Sequence, residues 1–193
     1  MQLFKEEEIR DLLVSVLALV LIFSWKPFPD YGINLNSLST YVVIIVSAFL
    51  LHELAHKFIA RKFGFTSVYQ MWTYGILLGL VLMIFGIRFV APGAVLVFSY
   101  RFGRWPHRKT PMQVAETGIT AAVGPLTNLI LAILATLFTG DFFHQMTFIN
   151  AWLALVNMLP VPPLDGSNIL RWKFWVWGFM FAVSLILVFV TLF

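Results

Sequence analysis

Long apolar runs, separated by short polar clusters, limit most strongly how this chain can fold. The runs cover residues 12–25, 41–60, 71–86 and 118–138, a stretch that begins near 148, and residues 174–193. About 20 apolar residues suffice for a helix to cross the hydrocarbon core of a bilayer. Hydrophobic residues make up 60% and charged residues 11% of the chain, unlike the balance of a soluble domain. The pattern predicts a multi-pass integral membrane protein, an all-α bundle of about five to six transmembrane helices in a single domain covering residues 1–193.

The polar N-terminus indicates that the first apolar run is not a secretory signal. It carries three consecutive acids, Glu6, Glu7 and Glu8. A secretory signal would instead begin with basic residues and end at a small-residue cleavage site. We therefore predict that residues 11–25 form a spanning helix, which is peripheral in the bundle, as is the last helix at 174–193.

The segment between the second and third clear spans departs from the helical pattern. Residues 71–86 form an apolar run that is short for a membrane crossing. Two β-rich runs follow, at 87–91 and 94–100, on either side of Pro92 and Gly93. Such runs around a Pro-Gly pair are typical of a hairpin. A small membrane-associated β-hairpin or sheet is predicted here.

Basic residues cluster between the apolar runs and predict the orientation of the spans. The groups are Lys57 with Arg61 and Lys62, residues 101–109, and Arg171 with Lys173. By the positive-inside rule all three face the cytoplasm, whereas the sparsely charged loops at 26–40 and 139–147 lie outside. This placement accounts for the net charge of +4 without a nucleic-acid partner.

The same orientation constrains residues 71–100. They must begin and end on one side of the membrane, so they are predicted to re-enter. Non-helical backbone at that depth requires cover by protein or by a water-filled cavity. If residues 71–86 crossed fully, every downstream segment would change sides, and the sequence leaves that alternative open.

His52, Glu53 and His56 lie at the end of the second apolar run, in the pattern His-Glu-Leu-Ala-His. Helical residues four apart share a face, so the two imidazoles can bind one metal ion, with Glu53 beside a water at that ion. The chain has no cysteine, so any metal ligand must be His, Asp or Glu. An alternative is that these residues are only the polar end of a spanning helix. Three ionisable side chains in an apolar run are costly, which favours a functional site.

Asp165 is the candidate third ligand. It follows Pro160, Pro162 and Pro163, which cannot sustain a helix, so the segment is predicted to become extended and to aim Asp165 into the bundle. Gly166 would permit the turn that follows. The alternative is a surface turn at the end of a membrane helix. Two imidazoles and one carboxylate, with a fourth position open, suit a catalytic zinc ion.

These motifs together resemble the site-2 protease family of intramembrane zinc metalloproteases. The likeness covers residues 39–171, the motif-bearing core. It rests on His52–His56, on Asn157 with the proline-rich run up to Asp165 and Gly166, on residues 92–95, and on the run Gly124-Pro125-Leu126-Thr127-Asn128. Members often carry a PDZ or CBS module, and neither is visible here, so the resemblance is to a minimal type.

The resemblance implies hydrolysis of a peptide bond in or near the transmembrane helix of a membrane-anchored protein. It implies one Zn²⁺ per chain with His52, His56 and Asp165 as ligands and Glu53 as the catalytic glutamate. Asn157 corresponds to an asparagine that engages substrate or the developing oxyanion. Asn128 lies inside the third clear span, where a polar side chain usually bonds a neighbouring helix; a place at the substrate or oxyanion site is the alternative. The expected partners are the substrate and the lipid bilayer, with the active site near the cytoplasmic side; the oligomeric state is left open. The hairpin could bind the unwound substrate by strand addition.

Two rival functions remain at this point. One is a different membrane zinc protease, whose third ligand is a glutamate on a later helix; Glu116 is the one Glu that follows Glu53, and it lacks a companion acidic motif. The other is a non-enzymatic metal-binding or metal-transporting membrane protein. A transporter would be expected to carry more polar residues through its spans.

Four other residues are assigned no role in the site. His107 and His144 lie in loops on opposite predicted sides, so they cannot share a metal ion. Glu116 is predicted to be an acid in the first turn of a helix. Arg88 is predicted to anchor at the membrane interface or to contact lipid phosphate.

Overall fold

The computed structural model describes residues 6–27, 29–89, 91–98, 101–102, 109–110 and 112–192. Most of these residues are helical. The helices are α1 (Glu6–Ser24), α2 (Leu38–Lys62), α3 (Thr73–Ile84), α4 (Val114–Ala135), α5 (Asp141–Asn157), α6 (Asp165–Trp172) and α7 (Phe174–Leu192). The strands are β1 (Trp25–Lys26), β2 (Gly32–Ile33), β3 (Thr66–Met71), β4 (Gly93–Phe98), β5 (Arg101–Phe102) and β6 (Lys109–Thr110). They pair antiparallel as β1 with β2, β3 with β4, and β5 with β6.

Three stretches within the described residues are long and apolar enough to cross a membrane, namely Leu35–Lys62, Val114–Ala135 and Phe174–Leu192. They confirm a membrane protein with a mainly helical fold. Helix α1 carries several charged residues in its first two turns, and α5 has only 17 residues. The count of five to six spans therefore stays a prediction.

The strand pairing corrects the predicted hairpin. Strand β4 pairs with β3, from Thr66 opposite Phe98 to Met71 opposite Gly93. The prediction that residues 87–91 form the partner strand is wrong, since residues 87–89 form no strand. The true partner lies before the short apolar helix α3. A small two-stranded sheet is nevertheless present between the second and third predicted spans.

The same pairing bears on the path of the intervening segment. Helix α3 has 12 residues, which is about 18 Å of rise against about 30 Å of hydrocarbon. Because β3 and β4 are antiparallel, the chain leaves the sheet at Met71 and returns to the same end of it at Gly93. Met71 and Gly93 thus lie at the same end of the sheet, and the re-entrant path between them stays a prediction.

Helix α4 lies centrally and contacts α2, α5, α6 and α7. Small residues on its buried face permit this close approach; they are Gly118, Ala121, Ala122, Gly124, Ala132 and Ala135. One apolar cluster joins α1, α2, β3 and α5, and includes Phe23, Ile45 and Tyr69. A second joins α4 to α7, and includes Leu129 and Ile169. The polar site lies between these clusters.

Candidate metal centre

Helix α2 brings the residues of the His-Glu-Leu-Ala-His motif into the interior. His52 and His56 are each 5% exposed and Glu53 is 7% exposed. The two imidazole ring centroids lie 4.7 Å apart, as expected for helical residues four apart. The residues are therefore not a solvated helix end, which excludes the structural alternative left open by the sequence.

Asp165, the first residue of α6, faces both imidazoles. Its Oδ2 atom lies 3.3 Å from Nε2 of His52 and 3.2 Å from Nε2 of His56. The candidate ligand atoms of the three residues lie within 4.8 Å of one another. The three residues thus form a group that could hold one metal ion.

Hydrogen bonds at the far side of each ring fix which nitrogen is available. Nδ1 of His52 lies 2.5 Å from Oδ1 of Asn128, and Nδ1 of His56 lies 2.6 Å from the carbonyl oxygen of Thr120. Both oxygens accept, so both Nδ1 atoms donate. The lone pair of each Nε2 is then free to bind a metal, a pattern common to metal-ligating histidines. The donor set fits a zinc ion.

The carboxyl group of Asp165 is in the form that binds metal. Burial opposes its charge, but the electrostatic attraction of His56 and the hydrogen bonds of His52 and His56 outweigh burial and lower the pKa of Asp165 to about 2. Those hydrogen bonds come from protonated Nε2 atoms, and a zinc ion would take the place of these protons. Its carboxylate is consequently ionised at any pH near neutral. Anionic carboxylate and neutral imidazole are the protonation states that zinc requires.

Glu53 is not part of the ligand group. It lies next in sequence to His52 and lines the cavity that also contains Asp165. Among the described residues its Oε2 atom is buried and has no hydrogen-bond partner. A buried carboxylate oxygen without a donor is costly. A water molecule in the cavity would satisfy it, which is the arrangement that a general base needs.

The cavity has a volume of about 370 Å³. Its lining includes the metal group, Glu53, residues of β4 and residues of α4. Residues of the lining that the sequence did not single out are Met112, Thr117, Thr120 and Asn168. Thr120 acts through its main-chain carbonyl, which gives no sequence signal. Residues 92–95, which belonged to the recognised motifs and to the predicted substrate-binding hairpin, also line the cavity.

Comparison with known proteins identifies the family. A protein of Methanocaldococcus jannaschii, named Putative zinc metalloprotease MJ0611, is 37% identical over 185 residues, which cover 91% of this chain and 89% of the relative. YwhC of Bacillus subtilis, which has the same descriptive name, is 31% identical over 70% of this chain and 69% of its own. This chain belongs to their zinc metalloprotease family. Rip3 of Mycobacterium tuberculosis, again with that name, is 27% identical over 69% of this chain and 30% of its own.

The family accounts for the donor set of this metalloprotease. Zinc is the metal of the family, and His52, His56 and Asp165 could hold one ion. An aspartate in the group, where the rival class of membrane zinc protease uses a glutamate, argues against that rival. No protein-family model matches the chain, and no solved structure matches it either.

Asp165 of the metalloprotease reaches the site through a compact turn. Residues 158–164 form bends and turns, so the predicted extended segment is wrong. The carbonyl of Met158 accepts a 2.7 Å hydrogen bond from the indole of Trp177. Gly166 lies in the first turn of α6, where a Cβ atom would be 2.2 Å from that same carbonyl oxygen. Its role is close approach and not the turn that we predicted.

The two asparagines of the metalloprotease differ in what they can do. Asn128 accepts from His52, and its amide donates to Ala48 and to Asn150. Both amide protons are thus engaged, so the structure favours a ligand-orienting role over the alternative oxyanion role. Asn157 lines the cavity and donates one proton to the carbonyl of Leu153, at 3.0 Å. Its substrate role stays a prediction.

Of the residues set aside by the sequence, Glu116, Arg88 and His144 do not belong to the metal group. Glu116 forms a capping box with Gln113 at the start of α4, as predicted. Arg88 and His144 line a separate small pocket. The guanidinium of Arg88 lies 5.4 Å from the ring centroid of Phe148. His107, and most of the basic group at 101–109, lie outside the described residues.

Gly124 provides a test of the metal position that removes no ligand. A Cβ atom at this position would lie 2.2 Å from Nε2 of His56 and 2.6 Å from Nε2 of His52. We expect Gly124→Ala to displace the imidazoles and to lower bound zinc to near zero while the protein stays folded. Gly178→Ala is the control, because a Cβ there meets nothing within 4 Å. Zinc and helicity are measured on purified protein; normal zinc in Gly124→Ala would contradict the assignment.

Proposed function

We propose that this metalloprotease is of the site-2 type and hydrolyses a peptide bond in or near the transmembrane segment of a membrane-anchored protein. One observation carries the proposal. His52, His56 and Asp165, which could hold a metal ion, line one cavity together with Glu53, whose Oε2 atom is buried and has no hydrogen-bond partner among the described residues. The two histidines and Glu53 lie on a helix that is long and apolar enough to span a membrane. A protease for soluble substrates has no need to bury its site in such a helix.

The proposal includes a five-span bundle with α3 re-entrant. The acids Glu8 and Asp11 of α1 are buried against protein, so they would not face lipid. Helix α5 packs between α4 and α7, and its polar residues Asn150 and Thr147 bond inside the bundle. These contacts support insertion of α1 and α5 beside the three long apolar helices.

The proposed site lies near the cytoplasmic face. His56 precedes the end of α2 at Lys62 by six residues, or about 9 Å of helical rise. Arg61 and Lys62 occupy that end of α2, and Arg171 the last turn of α6. By the positive-inside rule this end of the bundle is cytoplasmic. The cut would therefore fall close to the cytoplasmic boundary of a substrate helix.

The chemistry follows from the placement of the side chains. When bound, zinc acts as a Lewis acid toward the scissile carbonyl and the attacking water. Glu53 takes the proton of that water and later delivers it to the leaving amine nitrogen. Asn157 has a second amide proton to donate to the carbonyl oxygen of the substrate. Asn128 and the carbonyl of Thr120 hold the two imidazoles in the orientation that metal binding requires.

The substrate must be extended at the bond to be cut, and β4 offers an edge to bind it. Hydrogen bonds alternate along an antiparallel pair. The amide groups of Tyr69 and Met71 bond to carboxylates of α1 at 2.9 and 3.1 Å, so they point away from β4. Val95 and Gly93 lie opposite them on β4. The N–H and C=O groups of these two residues then point away from β3 and are available to an added strand. Both residues line the cavity.

A proline at this edge tests strand addition. Val95→Pro removes an N–H group that points away from β3, so the hydrogen bonds between β3 and β4 are kept. Proline is tolerated at such edge positions, where the N–H group is not part of the ladder. We expect KM to rise about tenfold, the cost of roughly one hydrogen bond, with little change in kcat. Val95→Ala keeps the amide and serves as the control. An unchanged KM in Val95→Pro, or an equal rise in Val95→Ala, would count against strand addition.

The substrate class is tested with one sequence in two settings. An apolar helix with flanking residues is presented in liposomes as a single-span protein and in solution as a fusion on a soluble carrier. We expect the reconstituted protein to cut the membrane-anchored form in or near its apolar segment, as located by mass spectrometry. Cleavage of the soluble form alone would overturn the proposed function.

A further inference from the structure

We infer that the acidic face of α1, formed by Glu8 and Asp11, is a positioning element that sets where a substrate strand meets the metal group. The inference rests on the proposed function, because it concerns the strand edge at which that substrate would bind. It assigns a task to a helix that lies outside the motif-bearing core.

The two acids cover one edge of the β3–β4 sheet. Oε1 of Glu8 accepts the amide of Tyr69 at 2.9 Å, and Oδ2 of Asp11 accepts the amide of Met71 at 3.1 Å. Glu8 is 1% exposed and Asp11 is 7% exposed. The acids thus take the place of a neighbouring strand. An incoming strand can add only at the other edge, that of β4, which borders the cavity.

Glu8 also connects this sheet to the metal-bearing helix. The same Oε1 atom that accepts from Tyr69 forms an ion pair with Nζ of Lys57. Lys57 is 4% exposed and directly follows His56 on α2. A buried ion pair has a defined geometry because neither charge can move into water without breaking it. One carboxylate therefore holds the sheet and α2 at a fixed separation.

Tyr69 connects α1 and α2 to β4 through its side chain. Its hydroxyl lies 2.7 Å from Oγ of Ser15 on α1, and its ring packs edge-on against Phe49 of α2. A Cβ atom at Gly93 would lie 2.3 Å from that hydroxyl, so the strand rests directly on the tyrosine. The position of Gly93 in the cavity thus depends on α1.

A double variant separates positioning from mere stabilisation. Glu8→Gln with Lys57→Met keeps an oxygen for the Tyr69 amide and removes both charges together, so no buried charge is left unpaired. Glu7→Gln is the matched control, because Glu7 is exposed on the same helix turn. Each protein is assayed on the membrane-anchored substrate in liposomes, with bound zinc, kcat, KM and the cut position measured.

We expect the double variant to keep its zinc, to cut at additional neighbouring bonds, and to lose about a hundredfold in kcat/KM, the effect of a misplacement of roughly 1 Å. Glu7→Gln should match the wild type. A double variant with wild-type kcat/KM and one unchanged cut position would overturn the inference even if its melting temperature fell. If the wild type itself cut no membrane-anchored substrate, the proposed function would fail first, and the inference with it.

A second pair of variants tests the edge without an activity assay. Asp11→Leu removes the acceptor of the Met71 amide, whereas Asp11→Asn retains an oxygen there. We expect hydrogen exchange at Met71 to quicken about tenfold in Asp11→Leu, as for the loss of roughly one hydrogen bond. Asp11→Asn should stay near the wild-type exchange rate at Met71. Equal exchange in both variants would show that Asp11 does not cover the edge.

Discussion

Glu53→Gln is expected to abolish proteolysis while bound zinc stays at one ion per chain. Glutamine fills the same space as glutamate but cannot take a proton from water. General acid–base groups contribute up to about 10,000-fold to a rate, and we expect a loss of that size. Zinc should remain because Glu53 lies outside the group formed by His52, His56 and Asp165.

The same variant separates an enzyme from a metal carrier. A transporter that used the two histidines would keep much of its metal flux in Glu53→Gln, since its ligand group is intact. Zinc content is measured on purified protein, cleavage on a membrane-anchored substrate, and flux in sealed liposomes. Glu7→Gln, an exposed acid on α1, controls for the chemical change itself. Cleavage at the wild-type rate in Glu53→Gln would remove Glu53 from the mechanism.

The sequence predicted the metal group because its signals are local. His52 and His56 share a face through helical spacing. Asp165 stood out because prolines precede it and few other acids follow the histidines. The structure brings these residues together, with Asp165 Oδ2 within 3.3 Å of each Nε2 atom. Chemistry that depends on residue type and spacing can therefore be found without knowledge of tertiary contacts.

The sheet was mispredicted because its pairing is non-local. A Pro-Gly pair between two β-rich runs favours a tight hairpin, yet β4 pairs with β3 across the whole of α3. Residues 66–71 carry mixed polarity, and no element was predicted for them. Their carboxylate partners on α1 lie about 60 positions away in sequence.

The role of Glu8 could not be predicted from the sequence, for a different reason. Three consecutive acids at the N-terminus argued against a secretory signal, and nothing in their spacing distinguished Glu8 from Glu6 or Glu7. Burial distinguishes them, because Glu8 is enclosed while its two neighbours are exposed. Burial of one helix face depends on what packs against it, here Lys57 and β3. The positions of the charged residues in the sequence do not predict these two partners.

Asp165→Ala and His56→Ala are each expected to lose bound zinc and all measurable proteolysis. Loss of a residue that only orients a ligand typically lowers metal affinity by about 10–100-fold, and loss of a ligand should exceed this. Asn128→Leu, which removes the hydrogen-bond partner of His52, should therefore show a smaller loss than either variant. The order of zinc affinities tests the distinction between ligands and orienting residues.

Asp141→Ala is the matched control for Asp165→Ala. Both aspartates are the first residue of a helix, so both substitutions remove the same favourable charge from a helix N-terminus. Asp141 is exposed and lies outside the metal group. Zinc content and helicity are compared at equal protein concentration. Full zinc occupancy in Asp165→Ala and His56→Ala would overturn the ligand assignment. An equal loss of zinc in Asp141→Ala would show that Asp165→Ala acts by disturbing a helix terminus and not by removing a metal ligand.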